Sequence, residues 1–447
     1  MNAIAKRDAA VSIAQELESI VTESAIFNWE QLPLTWQQQL NRASSSENLP
    51  SCIVYPRTTE ELKQVMACAY SNGWSVLPCG SGSKLGWGGL AKDVDLVIST
   101  ERLNRVLEHA VGDLTVTVEA GVKLADLQKL LLKEGQFLPL DPAYPQQATL
   151  GGIIATADSG SWRHRYGGVR DMLLGISFVR SDGQLAKAGG RVVKNVAGYD
   201  LMKLFTGSYG TLGILTEVTF RAYPIPQASR TVVLTGEAEA IASATQTLLA
   251  SALTPTAADL LSSQLVSKLG LGQGTGLMVR FQSVTESVKE QSSRLLEVGQ
   301  KLGLQGTLYQ DADEVTLLQS LPEQIWQVSQ EPVITCKIGV LPTAAVTSLA
   351  HLDTLTSPAG FGLIHAGSGL GLLRLNPEVT TPQKIMELRR YCESQRGFLT
   401  VLEAPISLKQ QLDVWGYSGN ALNVMRGIKQ QFDPKNLLSP QRFVGGI

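Results

Sequence analysis

The chain has 447 residues, of which 44% are hydrophobic and 17% charged, with 38 basic and 40 acidic side chains for a net charge of −2. That length exceeds what one hydrophobic core organises, so two domains are expected, and the near-balanced charge, without long runs of either sign, argues against a nucleic-acid partner. Cys52, Cys68, Cys79, Cys336 and Cys392 are an odd number, widely spaced and without a CxxC pair, which suits reduced thiols in a cytoplasmic protein and offers no zinc or iron–sulfur ligand set.

Near the start, Ile13, Leu17, Ile20 and Val21 fall on one face of an amphipathic helix. Glu16, Glu18 and Glu23 interrupt what would be a signal peptide's apolar core, and no apolar run approaches the length of a membrane span. A soluble protein is expected, peripheral to a membrane at most. From Trp29 to Asn48 the chain is polar, rich in Gln and Ser, and reads as a connecting segment. Cys52–Pro56 reads as a strand. Thr58 with Glu61 marks a helix start, Leu62, Val65, Met66 and Ala69 form its apolar stripe, and Gly73 ends it. A strand at 74–77 then feeds Pro78-Cys-Gly-Ser-Gly-Ser-Lys-Leu-Gly-Trp-Gly-Gly89.

Five glycines lie between positions 80 and 89. Their spacing is not GxGxxG, and the following Val94–Ser99 reads as a strand where a dinucleotide fingerprint requires a helix. Such a loop still binds phosphate as a nest of backbone N–H groups, with the Ser81 and Ser83 hydroxyls as further donors and a side chain at Gly82 expected to intrude on the phosphate. The second glycine concentration is larger: 13 of the 63 residues from Gly151 to Gly213 are glycine. It opens after the rigid turn Asp141-Pro-Ala-Tyr-Pro145 with Thr149-Leu150-Gly151-Gly152. Strand-like runs at 173–180 and 214–221 lie between its glycines. Arg163, His164, Arg165 and Tyr166 share one loop, read either as phosphate or substrate contacts or as an exposed basic turn.

The motifs PCGSGS, TLGG…A…SG….RYGGVRD and GSYGTLGILTEVTF, in this order, resemble the FAD-binding domain of the vanillyl-alcohol oxidase/p-cresol methylhydroxylase family over residues 48–226. Within that family, GGRVVKNVAGYDLMKLFTGSYGTLG is similar to the E-type subunits of bacterial glycolate oxidases. The resemblance implies an α+β fold: a PCMH-type FAD-binding domain of two α+β subdomains, with an α+β cap domain. The boundaries expected are 1–47 for an N-terminal helix and connector, 48–226 for the FAD domain, 227–400 for the cap, and 401–447 for a segment returning to the FAD domain. It implies non-covalent FAD held by Pro78, Gly80, Ser81, Gly82, Ser83 and Lys84 in the first loop and by Thr149, Leu150, Gly151, Gly152 and Ala155 in the second. Ser159, Gly160, Tyr166, Gly210 and Ile214 are expected along the rest of the cofactor. Some members attach flavin through a histidine in the first loop; Ser83 and Lys84 stand there in this chain. In the closing segment, Ser439 and Gln441 replace the family's Asn and Gly, which weakens the expectation of a flavin contact near Arg442.

The resemblance further implies partners, a catalytic D-type flavoprotein subunit and an iron–sulfur F-type subunit, with a small 2-hydroxy acid as substrate. Catalytic relatives carry H-x-G-D-G-N-x-H and G-E-H-G motifs. This chain has His365-Ala-Gly-Ser-Gly-Leu-Gly371, with Ser368 for the aspartate and Gly371 for the second histidine, and it has four histidines in all. No metal site is expected, and His365, Arg374 and Glu403 are the candidate catalytic residues. Three readings follow: an FAD-carrying subunit of a glycolate-oxidising complex, a self-contained dehydrogenase of glycolate or D-lactate, and an assembly subunit without flavin.

Overall fold

A computed structural model describes residues 13–44, 49–191, 198–326, 332–356, 358 and 360–447. The Val192–Ala197 part of the glycine-rich motif lies outside the described residues. The chain divides into two compact units: one takes in the chain up to Ser159 together with Gly168–Pro224 and Tyr417–Ile447, the other Gly160–Gly167 and Ile225–Gly416.

Among the described residues the first unit holds two larger sheets and a two-stranded pairing of Gln136–Phe137 with Tyr223–Pro224. In the four-stranded sheet the order is Ile26–Asn28, Cys52–Val54, Leu96–Ser99, Val76–Cys79, and every pairing except the first is parallel. Between its parallel strands runs the helix Thr59–Asn72, whose N-cap Thr58 accepts from the Glu61 amide while Gly73, at φ +72°, closes it. Leu62, Val65, Met66 and Ala69 on that helix are fully buried. The five-stranded sheet, Val106–Ala110, Thr115–Glu119, Ile214–Arg221, Leu173–Val179, Leu185–Gly189, is antiparallel throughout.

Two sequence expectations are corrected in this unit. The segment read as a connector is built structure: Leu34–Ala43 is a helix, and the strand Ile26–Asn28 just before the segment pairs with Cys52–Val54. Its few apolar residues are those that count, because Leu32, Leu40 and Ala43 join Ile53, Leu77 and Val97 in one core cluster. The N-terminal helix likewise belongs to this unit, with Ile13, Leu17 and Val21 packed among Cys52, Val54 and Leu62.

The other concerns the chain's end: it belongs to this unit from Tyr417 onward, where the sequence reading put the return at residue 401. Val76–Cys79 is the outer strand of its sheet, and Pro78, which has no N–H, is admissible there. Its open side is taken by the closing segment: Val76 donates to Leu437 O at 2.7 Å and Ser439 donates to Val76 O at 2.8 Å. A buried ammonium holds this segment. Lys429 Nζ meets Asp433 Oδ2 at 2.6 Å and donates to Leu438 O and Thr211 O, while Asp433 Oδ2 also accepts from the Leu438 amide.

The second unit is an eight-stranded antiparallel sheet, in the order Gln305–Tyr309, Ala228–Gly236, Thr275–Ser283, Ala257–Leu261, Gly360–His365, Leu370–Leu375, Ile334–Gly339, Phe398–Glu403. Side chains alternate between faces. Val232 and Leu234 pack under the helices Ala238–Ala250 and Thr285–Lys301, whereas Val233 faces the opposite cluster with Leu265, Leu317 and Leu321. Among the described residues no helix is long and apolar enough to cross a membrane.

Lys429→Met leaves Asp433 buried and unpaired, and is expected to cost about 3–5 kcal/mol. The double change Lys429→Met with Asp433→Asn is expected to recover most of that loss. Chemical denaturation of the three proteins checks it.

Candidate functional site

The first unit forms an open-mouthed cavity of ≈ 750 Å³, the solvent at its mouth included. Three stretches wall it: Pro78–Leu85, the Thr149–Thr156 region, and Phe205–Leu215, with Thr100 and Arg442 closing the remainder. Of the residues expected from the sequence, Pro78, Gly80, Ser81, Gly82, Ser83, Lys84, Thr149, Gly151, Gly152, Ala155, Gly210 and Ile214 line it. Leu150 is instead fully buried. Ser159 does not line the cavity and accepts a hydrogen bond from the Val169 amide, while Gly160 and Tyr166 fall in the other unit.

The glycines are needed for reasons that differ from the sequence expectation. A Cβ on Gly80 would lie 2.0 Å from Thr149 Oγ1, so the first loop and the second turn touch there. Ser81 ties the same pair together, its hydroxyl donating to Gln147 O at 2.6 Å, so that proton is committed to the fold and not to a ligand. Gly82 has φ +79°, and a Cβ there would meet Gln39 Oε1 at 2.5 Å and Trp36 at 3.0 Å. A side chain at Gly82 therefore collides with the Leu34–Ala43 helix. Gly210, at φ +76°, is pressed against Pro78 Cγ, which joins the third wall to the first.

Amide donors are also distributed unevenly. The Gly151 amide is spent on Ala120 O and that of Gly152 on Thr149 Oγ1. Among the described residues, the amides of Ser81, Gly82 and Ser83 make no hydrogen bond within the chain. The first loop thus carries the donors available to an anion, and the second turn braces it.

Two cations complete the wall. Lys84 Nζ sits 2.6 Å from Asp158 Oδ2 with both side chains buried, and burial pulls the Lys84 ammonium below its usual pKa against the pull of Asp158. Arg442 donates through Nη2 to the carbonyls of Lys84, Leu85 and Trp87, at 3.3, 2.7 and 3.3 Å. Burial brings its guanidinium down to about 10, so it stays charged near neutrality. A contact near Arg442 was discounted because Ser439 and Gln441 depart from the closing motif, yet the 437–439 pairing brings Arg442 to the cavity wall. Cys79 and Tyr209 also line the cavity; burial pushes the Cys79 thiol up to about 12 and raises the Tyr209 phenol. Free amides, two enclosed cations and small-residue walls fit a cofactor bearing a diphosphate.

The candidate catalytic residues lie in the second unit. His365 Nδ1 is 2.6 Å from Asp259 Oδ1, and Asp259 is completely buried. His164 approaches this pair, with its pKa lowered by burial more than the Asp259 charge raises it. Arg374 and Glu403 are engaged elsewhere: Arg374 Nη1 donates to Ile325 O at 2.6 Å and lies 3.8 Å from Glu403, which accepts from Thr335 Oγ1. No group of three or more His, Cys, Asp or Glu placed to hold a metal ion occurs among the described residues.

Comparison with known proteins agrees with the cavity chemistry. Residues 50–189 match the FAD binding domain family. The chain is 25% identical over 429 residues to glycolate oxidase subunit GlcD of Bacillus subtilis, spanning 88% of this chain and 89% of that protein. It is 40% identical to glycolate oxidase subunit GlcE of Escherichia coli, but over 125 residues, 28% of this chain and 36% of that protein. The E-type expectation is accordingly corrected: similarity to the D-type subunit runs over 88% of the chain, and that to D-2-hydroxyglutarate dehydrogenase of Stutzerimonas stutzeri covers as much, at 26% identity and 90% of that protein. In structure, p-cresol methylhydroxylase superposes with a TM-score of 0.73 at 15% identity, covering 96% of each chain.

Arg442→Leu is expected to free the first loop and remove one enclosed cation, weakening FAD binding at least tenfold, about 1.4 kcal/mol or more. Fluorescence titration of the apoprotein with FAD measures it. The chain is an FAD-dependent oxidoreductase, built on a PCMH-type FAD-binding domain.

Proposed function

We propose that this chain is the flavin-carrying subunit of a 2-hydroxy-acid oxidoreductase complex, with glycolate as substrate, whose flavin relays electrons to a partner protein. The observation that carries it is the first unit's cavity, where the unspent amides of Ser81–Ser83 face the same space as Lys84 and Arg442. When bound there, FAD supplies the two-electron acceptor. Ser81–Ser83 would bind the diphosphate, Lys84 and Arg442 would neutralise it, and the Phe205–Leu215 wall would keep water away.

A relay role is supported by how the second unit uses its polar side chains. Arg374 and Glu403, the groups most able to seat a substrate carboxylate, are engaged with each other and with Thr335 and Ile325. Outlet for the electrons points to an iron–sulfur partner, because the five cysteines are free and widely separated in sequence. This chain then contributes the flavin, and the cluster belongs to a neighbour.

A second reading, a self-contained dehydrogenase of glycolate or D-lactate, is favoured by the Asp259–His365 pair. With Asp259 on Nδ1, Nε2 is the ring nitrogen left to take a proton from a substrate hydroxyl.

Anaerobic visible spectra of the FAD-loaded chain, before and after glycolate or D-lactate, separate the two. The relay reading expects flavin bands that persist with the chain alone and bleach once partner subunits are added. Bleaching of the isolated chain would establish the self-contained enzyme, and failure to take up FAD at all would overturn both.

A further inference from the structure

We propose that Lys84 is the residue that presents positive charge to an anionic group of the bound cofactor, and that Asp158 is its positioning residue. The inference rests on the FAD reading of the cavity and adds, to the neutralising role Lys84 shares with Arg442, a carboxylate that fixes where the Lys84 charge stands.

Arg442 gives its Nη2 to three backbone carbonyls, which holds the loop in shape. Lys84 is different. Its side chain is 5% exposed, and within the chain its ammonium meets one carboxylate, Asp158, at 2.6 Å, with the Trp87 ring 5.4 Å away. An ammonium carries three N–H donors, and one carboxylate oxygen accounts for one of them. Lys84 lines the cavity, and its Nζ is sealed from solvent with no other hydrogen bond within the chain, so its remaining donors are uncommitted.

Asp158 is placed as a holder. Ala157, just before it, is in the left-handed region at φ +49°, and Asp158 Oδ2 also accepts from the Ala143 amide at 2.9 Å. Ala143 belongs to the proline-bounded Asp141–Pro145 turn, so the carboxylate is fixed from two sides. A buried ion pair is a poor stabiliser, since apolar residues of similar volume commonly serve as well or better. In a cavity wall it has another use: Lys84, Arg442 and Asp158 together leave one positive charge around the space that would hold the cofactor. The complementary chemistry is anionic oxygen, from the diphosphate or from the reduced flavin ring.

The test uses the full chain with Lys84→Met and Asp158→Asn combined, which removes both charges at nearly constant volume and avoids an unpaired buried carboxylate. Expected is a melting temperature near that of the parent with FAD bound at least tenfold more weakly. A folded double variant that binds FAD as tightly as the parent overturns the inference. A parent that binds no FAD overturns the FAD reading instead. Asp158→Asn alone separates positioning from charge: it raises the net positive charge, so tighter or equal FAD binding would contradict the positioning role, and weaker binding is expected. Titration with ADP, which has the diphosphate without the flavin, locates the contact. Parallel loss of ADP affinity places Lys84 at the diphosphate, whereas unchanged ADP affinity with a lowered flavin midpoint potential places it at the ring.

Discussion

The cavity depends on one edge of one strand. Val76–Cys79 ends its sheet, and a strand edge left open exposes unpaired backbone groups that must be covered. Residues 437–439 cover it, over 350 positions away in sequence, and the chain then turns so that Arg442 reaches the carbonyls of the loop that the strand feeds. The same closure requires Gly210, because Pro78 packs where its side chain would stand. Strand, loop and closing segment are thus one device, secured from behind by Lys429 and Asp433.

Within that device the labour is divided in a way that glycine density does not reveal. Both glycine-rich stretches read as phosphate nests, yet only the first leaves its amides unspent. The second uses Gly151 and Gly152 to dock against Ala120 and Thr149. Gly82, which reads as a ligand contact, is glycine because of its backbone angle and the nearness of Trp36. A run of glycines reports that something comes close; whether this is ligand or protein is decided by which way each missing Cβ would point.

The parts legible in the sequence were those with local causes. The helix from Thr59 follows from its cap, stripe and terminal Gly73, and the 78–85 and 149–156 walls follow from residue type. Arg442 was legible only as the end of a closing motif that Ser439 and Gln441 made easy to discount, and the Asp158 partner of Lys84 was not legible, since that contact joins segments far apart in the chain. The polar stretch 29–48 misled for a related reason. Two buried side chains, Leu40 and Ala43, with Leu32 just before the helix, suffice to anchor a helix whose other faces are wet. Similarity shows the same contrast between local and global: the E-type resemblance is strong but short, and the D-type resemblance is weak but runs the length of the chain. In the second unit, His365 was singled out by a motif remnant and His164 only as part of the 163–166 loop, while Asp259 carried no motif at all.

Diffraction from crystals of the chain grown with FAD tests the central claim most directly. The account predicts diphosphate density against the amides of Ser81–Ser83, with Arg442 holding the loop carbonyls and Lys84 still paired to Asp158. Diphosphate density lying outside the cavity walled by 78–85, 149–156 and 205–215, or Arg442 swung away from the loop, would contradict it.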